Sequence, residues 1–485
     1  MPGLLAETSR YVPSVLWVWP FAAMLLAIAL LPLVRGVAHW WERNTSKLMV
    51  AVALSLVTLG YYYFRNTGLE LHVVSPPASK DAAAPGGAEA HADRPHVSAP
   101  GLETVVAVLR YAVVDEYIPF ITLLFALYAI AGGILVQGDI RATPFVNTAV
   151  MAIGAPLASL IGTTGASMVL IRLLLRTNAE RRYRVHTVVF FIFIVSNCGG
   201  LLLPTGDPPL FLGYLMGVPF PWTLQLWPEW LFMVGSLLAI YFVWDSWAYS
   251  HEPPERIALD YQRQAPVRAA GLVNVIWLLL VVLAIAVLDP HKAVPGTDWK
   301  PWPHLREAVQ LVLVALSLAT TPRGLRQANG FNYVAIGEVA CLFLGIFITM
   351  QVPIELLRIK GPELELTHDW QYFWASGLLS SILDNAPTYV VYFTTAGAIH
   401  PPNLHYLAGV ETATGEISIE LLTALSCGAV FMGANTYIGN GPNFMVKSIA
   451  EQAGVKMPSF FGYVGYAVLV LFPLYIVMTV LFFHT

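Results

Sequence analysis

The sequence predicts an all-α, polytopic membrane protein with two inverted repeats, each containing a re-entrant helical hairpin and a broken transmembrane helix. Hydrophobic residues account for 57% of the 485 residues and charged residues for only 12%. A chain of this composition cannot cover a soluble surface with polar groups. Two apolar segments, at residues 196–210 and 433–444, are interrupted by glycine, proline and polar residues. These interruptions predict helices that unwind inside the membrane.

The first interrupted segment has the sequence SNCGGLLLPTGDPPL and begins at Ser196. Its paired glycines loosen the backbone and its three prolines remove amide donors. Asp207 places an ionisable group where hydrocarbon makes a charge costly. The second segment, GANTYIGNGPNF, begins at Gly433. Broken helices at corresponding positions of two halves are typical of secondary transporters with a site near the bilayer midplane.

The chain begins with two predicted spans, at residues 15–34 and 47–64, which tryptophan and tyrosine residues anchor at the interfaces. Residues 65–105 are rich in alanine, proline and glycine. Such a composition cannot bury a core and predicts a flexible loop outside the membrane. The next apolar segment covers residues 102–136, and we expect its acids, Asp115 and Glu116, to mark its entrance at the membrane surface.

The first re-entrant hairpin is predicted at residues 145–175. Arg141 precedes this apolar region, and four arginines follow it between residues 176 and 184. Because positive residues favour the cytoplasmic side, both flanks are expected there, which a single crossing cannot satisfy. The chain is therefore expected to turn back at the polar run 162–167.

A second hairpin is predicted at residues 370–398, where the polar run LDNAPT at 383–388 interrupts an apolar region with few positive flanking residues. Entry of the first hairpin from inside and of the second from outside makes the repeats inverted, and brings both tips and both helix breaks to one site. Further single spans are predicted at 231–247, 272–288, 305–320, 333–352 and 463–483.

This pattern divides the chain into five parts. They are two N-terminal helices (1–64), the loop (65–105), a first transport repeat (106–247), linking helices (248–330) and a second, inverted repeat (331–485).

The chain resembles the ion transporter superfamily, in the branch that holds sodium/proton antiporters and relatives that carry citrate, dicarboxylates or arsenite. The resemblance is carried by five stretches, PFAAMLLAIALLPL, EYIPFITLLFALYAIAGGI, SNCGGLLLPTGDPP, GIFITM and SSILDNAPTYV, which begin at Pro20, Glu116, Ser196, Gly345 and Ser380. It implies two inverted repeats, a homodimer formed through a scaffold domain and an elevator-like movement. The tips depart from the paired Ser-Asn-Thr pattern of sodium-coupled carboxylate carriers, and the first tip has neither acid nor amide.

The candidate site centres on two carboxylates, Asp384 in the second tip and Asp207 in the first break, as ligands of a transported cation. A carboxylate at membrane depth binds a metal cation when it is ionised and a proton when it is neutral. Asp384 is the main candidate because Asn385 and Thr388 add neutral oxygens beside it. Further candidate ligands are Ser196, Asn197, Thr205, Thr163, Thr164, Asn435, Thr436 and Asn440.

Each candidate has a structural alternative. Asp384 could cap the outgoing helix of the hairpin, which is compatible with cation binding. Asp207 could stabilise a turn in TGDPP. The neutral side chains could form hydrogen bonds between helices in lipid.

The predicted function is sodium/proton antiport, with sodium and protons as transported species and no cofactor. The alternative is a sodium- or proton-coupled carrier of citrate-like anions, although two central acids would repel a polyanion unless they were neutralised. The chain lacks HExxH, GxSxG and Walker motifs, so an enzyme is not expected. A net charge of −4 gives no sign of a nucleic-acid partner. We expect a multi-pass protein of the plasma (inner) membrane whose partners are lipid, a small inorganic cation and the proton.

Overall fold

A computed structural model describes residues 11–34, 36–68, 70–71, 96–290, 292–399 and 409–483. Most of the predicted loop at 65–105 therefore lies outside the described residues. The described chain is predominantly helical, which confirms the all-α class. Its strands form three separate two-stranded antiparallel sheets, β1 Glu70–Leu71 with β2 His96–Val97, β3 Leu135–Asp139 with β4 Ala265–Ala270, and β5 Gly409–Thr412 with β6 Gly415–Ser418.

The α-helices up to the linker are α1 Trp19–Leu30, α2 Ala38–Trp41, α3 Asn44–Phe64, α4 Leu102–Leu109, α5 Ile118–Ala131, α6 Pro144–Ile161, α7 Thr163–Thr177, α8 Val185–Ile194, α9 Pro208–Leu215, α10 Trp227–Ser250 and α11 Pro254–Gln262. A π-helical turn, Arg110–Tyr117, joins α4 to α5. Short 3-10 helices occur at Val15–Val18, Leu31–Leu33, Cys198–Leu202 and Phe220–Leu226.

The remaining α-helices are α12 Val273–Val287, α13 Leu305–Thr320, α14 Arg323–Ala328, α15 Val334–Thr349, α16 Gln351–Lys360, α17 Asp369–Ile382, α18 Asn385–Ala398, α19 Ile419–Met432, α20 Gly441–Gln452 and α21 Phe460–Phe482. Short 3-10 helices occur at Gly361–Leu364 and Gly433–Asn435.

Six helical segments of the described residues are long and apolar enough to cross a membrane. They are Asn44–Phe64, Leu102–Ala131, Pro144–Ile161, Val185–Leu202, Phe220–Ser250 and Phe460–Phe482. The bent pair α15–α16, with an angle of 41° between its parts, provides a seventh if it is one span. The protein is therefore an all-α, polytopic membrane protein.

One detail of the predicted spans is wrong, whereas the position of Glu116 at a membrane surface stays a prediction. Glu116 lies in the middle of the continuous helical segment Leu102–Ala131, where its buried carboxylate accepts a hydrogen bond from Nε2 of Gln351 at 3.1 Å. The span predicted to end at residue 352 continues as α16, so part of the expected loop is helical.

Helices α6 and α7 form a hairpin. Thr143 caps the start of α6 by accepting a hydrogen bond from the backbone of Val146, and Gly162 separates the two helices with a φ of 83° that favours glycine. Asn147, near the start of α6, and Asn178, just beyond the end of α7, exchange hydrogen bonds of 2.9 and 2.8 Å. The two ends therefore lie side by side, as a re-entrant hairpin requires.

Buried ion pairs fasten the base of this hairpin to α10. The guanidinium of Arg181 lies 2.8 Å from Asp245 and 3.5 Å from Glu252. Asp245 also accepts a hydrogen bond from Asn147 and contacts Nε2 of His186 at 2.8 Å. Glu252 accepts hydrogen bonds from the backbone amides that follow Arg181. Each charge in the cluster has a partner, which is what burial of charge demands.

Helices α17 and α18 form the second hairpin. The rings of Tyr372, near its start, and Tyr392, in its returning helix, lie 6.4 Å apart in an edge-on arrangement. Asp384 stands between the two helices as the N-cap of α18. This ring contact links the two helices of the second hairpin.

Both interrupted segments unwind, at 195–207 and at 433–440. In each, two glycines six residues apart bring the backbone against itself, so that a Cβ on Gly206 would collide with the carbonyl of Gly200, and a Cβ on Gly439 with that of Gly433. The same local geometry in both halves explains why each break contains these glycines.

We expect Arg181→Met to destabilise the protein by about 3–5 kcal/mol, because it leaves Asp245 buried without its guanidinium partner. Arg263→Met is the matched control, since the Arg263 side chain is 66% exposed in its pair with Glu180. This substitution should lower the free energy of unfolding by no more than about 1 kcal/mol. The thermal unfolding of both variants in detergent tests this. Equal unfolding temperatures would contradict a role of the cluster in holding the hairpin base.

Candidate functional site

Asp207 lies at the meeting point of both hairpin tips and both helix breaks. Its side chain is buried and accepts three hydrogen bonds. Oδ1 accepts from the Thr163 hydroxyl at 3.0 Å and from Nδ2 of Asn440 at 3.0 Å, while Oδ2 accepts from Nδ2 of Asn385 at 2.5 Å. The donors come from the first tip, the second break and the second tip. One carboxylate thus connects residues more than 230 positions apart.

The amide of Asn440 joins the two breaks to each other. Its Nδ2 is also 3.2 Å from Oδ1 of Asn197 and 3.3 Å from the carbonyl oxygen of Ser196. Asn197 in turn donates to Oδ1 of Asn443 at 2.7 Å. Nδ2 of Asn443 donates to the carbonyl oxygens of Gly433 and Thr436, both at 2.9 Å. These bonds satisfy backbone groups that the unwound helices leave free.

The four chain segments around Asp207 all meet it with helix N-termini. Thr163 is the first residue of α7 and Asn385 the first residue of α18, while Asp207 and Asn440 are the N-caps of α9 and α20. Helix N-termini carry partial positive charge and unpaired amide hydrogens, which stabilise an anionic group. The arrangement therefore favours negative charge at this point, whether from Asp207 or from a bound species.

Asp384 occupies the capping role that was its structural alternative. Its Oδ1 accepts a hydrogen bond from the backbone of Ala386 at 3.1 Å, and Thr388 donates to its carbonyl oxygen at 3.0 Å. Asp384 is only partly buried, but it lies close enough to Asp207 for the two negative charges to repel each other. The sequence ranked Asp384 first, whereas the larger number of side-chain contacts belongs to Asp207.

The remaining candidates lie around the same centre. Ser196 shares a 2.8 Å hydrogen bond with Ser167, and Thr205 donates to the carbonyl oxygen of Ser159 at 3.0 Å. Asn435 donates to the hydroxyl of Ser381 at 2.8 Å, and Thr436 donates to its carbonyl oxygen at 2.6 Å. Thr164 is half-buried beside Thr163. The structure thus groups all the predicted residues around the tips and breaks, but only Thr163, Asn385 and Asn440 touch Asp207.

Sequence reasoning gave no role to Ser159 and Ser381, although both hold a tip to a break. Ser159 donates to the carbonyl oxygen of Gly199 at 2.6 Å and accepts from the backbone of Leu202 at 3.0 Å. Ser381 donates to the carbonyl oxygen of Met432 at 3.1 Å. Each serine stands four residues before the first residue of the outgoing helix of its hairpin. This shared spacing was the signal that could have found them.

One buried acceptor at the centre has no partner. Oδ1 of Asn385 is buried and forms no hydrogen bond in the described chain, although Nδ2 of the same amide donates to Asp207. An unpaired amide oxygen in such a place is costly. Small hard cations bind amide and carboxylate oxygens. Oδ1 of Asn385, close to the Asp207 carboxylate, is therefore a suitable ligand for such a cation.

The chain matches one family over nearly all of its length. The model of the family described as "Putative citrate transport" matches residues 10–76 and 92–483. Comparison with curated proteins gave no match. Since the matched residues include both tips, both breaks and every side chain that contacts Asp207, the chain belongs to this citrate transport family.

Proposed function

We propose that the protein is a secondary active transporter that exchanges sodium for protons at Asp207, with Asp384 as a second, assisting carboxylate. The observation that carries this proposal is a buried carboxylate whose hydrogen-bond donors are all neutral. Thr163, Asn385 and Asn440 contribute no charge, and neither lysine nor arginine contacts Asp207 within the described residues. The protein itself therefore leaves the charge of Asp207 uncompensated.

An uncompensated carboxylate inside a membrane protein is costly, and either a proton or a metal cation removes that cost. The two compete, because the proton bonds to the oxygen lone pairs that the cation requires. Oδ1 of Asn385, which accepts no hydrogen bond from the described residues, supplies a second oxygen ligand beside the carboxylate. Binding of one species therefore releases the other, which is the essential step of antiport.

Asp384 strengthens this competition. Because it lies near Asp207, ionisation of either carboxylate makes ionisation of the other less favourable. A sodium ion near Asp207 reduces the repulsion, whereas in its absence a proton does so. The partial exposure of Asp384 suits it to pass protons between water and the buried centre.

Alternating access in the proposal rests on inverted repeats. Helix α7 of the first hairpin packs against α20 of the second broken helix, and α18 of the second hairpin packs against α9 of the first. Such reciprocal packing is expected when a two-fold axis in the membrane plane relates two repeats. Both hairpin tips also contact Asp207, through Thr163 and Asn385, which favours entry of the hairpins from opposite faces.

A second candidate function is cation-coupled uptake of a citrate-like anion. The description of the family favours it, and so do the four helix N-termini around the centre, because they stabilise bound carboxylates. In this mechanism the cation on Asp207 and Asp384 neutralises the repulsion that two acids would exert on the anion. Asp207 and Asp384 would then couple uptake of the anion to entry of the cation, and sodium would not be exchanged for protons.

We expect Asp207→Asn to abolish sodium-induced proton movement, because an amide cannot exchange the proton. The fold should be kept, since the amide of Asn385 can turn its free oxygen towards the new donor. Asp384→Asn, which can still cap α18, should lower exchange strongly. The measurement is the sodium-induced pH change in everted vesicles, with Asp298→Asn in an exposed loop as the control. Exchange by the Asp207 variant at the wild-type rate would remove Asp207 from the mechanism.

The two candidate functions give opposite results with the unmodified protein. Sodium/proton exchange predicts a sodium-induced pH change in proteoliposomes that contain no citrate. Citrate uptake predicts no such change without citrate, but accumulation of radiolabelled citrate that depends on a sodium or proton gradient. Empty liposomes provide the background.

Inverted repeats predict that the bases of the two hairpins lie on opposite membrane faces. In a background without the three native cysteines, single cysteines at Ala179 and Glu363, both exposed, should react from the cytoplasmic and the external side respectively. An impermeant thiol reagent added to right-side-out and everted vesicles measures this. Labelling of both positions from the same side would be incompatible with inverted repeats, and the background protein without any of the three native cysteines serves as the unreactive control.

A further inference from the structure

A cleft of about 490 Å³ lies away from Asp207, between the sheet β3–β4 and the end of α7. Its charged lining consists of Arg176 from α7, Arg268 from β4 and Asp139 from β3. The proposed transport function uses none of these residues. Two guanidinium groups and one carboxylate thus surround a space large enough for a small polar group.

The two arginines are available to a ligand. Arg176 and Arg268 are exposed and form no ion pair in the part of the chain that the structure describes. Arg172, one turn before Arg176, has a buried Nε without a hydrogen-bond partner. Asp139 lies within the electrostatic reach of Arg176 and Arg263, and also of the acids Glu180 and Asp260 outside the cleft lining. Among the side chains that line the cleft, two are positively charged and one is negatively charged.

The backbone opens where the cleft forms. Gln137 pairs with Arg268 and Asp139 with Ala265, so Gly138 alone faces two residues of β4, Pro266 and Val267. This is a β-bulge, in which the ladder is locally disrupted, and Pro266 has no amide hydrogen to donate. Bulges often lie next to functional sites because they redirect side chains.

The cleft lies where helices end. Helix α5 ends at Ala131 just before β3, and α7 ends at Thr177. Val267 in β4 and Leu272 next to α12 are 47% and 56% exposed. Exposed apolar side chains among arginines at the ends of membrane helices are typical of the level of lipid headgroups.

We propose that this cleft binds the headgroup of an ethanolamine phospholipid. The phosphate lies between Arg176 and Arg268, because guanidinium groups bind phosphate oxygens in pairs. The primary ammonium donates to Asp139. A choline headgroup cannot donate this hydrogen bond, and a glycerol headgroup lacks the positive charge that complements the carboxylate. The bound lipid would connect α7 to the linker strand β4.

Binding is tested by native mass spectrometry and thermal unfolding of the delipidated, full-length protein. The probes are phosphatidylethanolamine, phosphatidylcholine, phosphatidylglycerol and inorganic phosphate. We expect phosphatidylethanolamine to bind most tightly and to raise the unfolding temperature most. Equal binding of ethanolamine and choline lipids would overturn the proposal. Equal stabilisation by inorganic phosphate alone would also overturn it, since it would indicate a site for free anions.

Substitutions distinguish the part of the site that binds the phosphate from the part that binds the ammonium group. The double variant Arg176→Gln, Arg268→Gln should weaken binding of phosphatidylethanolamine about tenfold or more, through loss of both phosphate contacts. Asp139→Asn should remove the preference for ethanolamine over choline. Arg256→Gln, at an exposed arginine of α11, should bind as the wild type does. All variants should unfold at the wild-type temperature without lipid, and wild-type lipid binding by the double variant would contradict the assignment.

Discussion

The burial of the Asp207 carboxyl group among neutral hydrogen-bond donors is the constraint on which the centre of this molecule depends. A carboxylate at membrane depth needs donors, and straight helices offer none because their amides are paired internally. The chain meets this need by starting four helices at one point. The two hairpin tips and two helix breaks then present Thr163, Asn385 and Asn440 as neutral donors. The glycines of the breaks follow from the same need, because the unwound backbone must fold against itself.

The two halves share geometry but differ in chemistry. Thr163 in the first tip corresponds to Asn385 in the second, and both donate to Asp207. Asp207 in turn corresponds to Asn440, since each is the N-cap of the second half of its broken helix. Only one member of this last pair is an acid. The two breaks therefore differ at this position, with a carboxylate in the first and an amide in the second.

The sequence was sufficient to predict the breaks and hairpins, because glycine, proline and flanking arginines report directly on what a membrane helix tolerates. It could not show that Asp207 receives more side-chain hydrogen bonds than Asp384. Both are acids beside a helix start, and their difference arises from donors that are distant in sequence, above all Asn440. The hydrogen-bond partner of Glu116 could not be predicted for the same reason, because Gln351 lies 235 residues away. Composition shows that a polar residue is costly in a membrane, whereas packing decides where its partner is.

The bonds around Asp207 also restrict how the protein can move. Helices of eight to fifteen residues such as α7, α9, α18 and α20 are too short to be stable alone and depend on packing with one another. Movement of one hairpin by itself would separate Thr163 or Asn385 from Asp207 and leave a buried charge with fewer donors. Movement of all four half-helices as a unit would keep every bond. A rearrangement that exposes the centre to each side in turn is therefore least costly when the tips and breaks travel together, relative to helices that make no contact with Asp207.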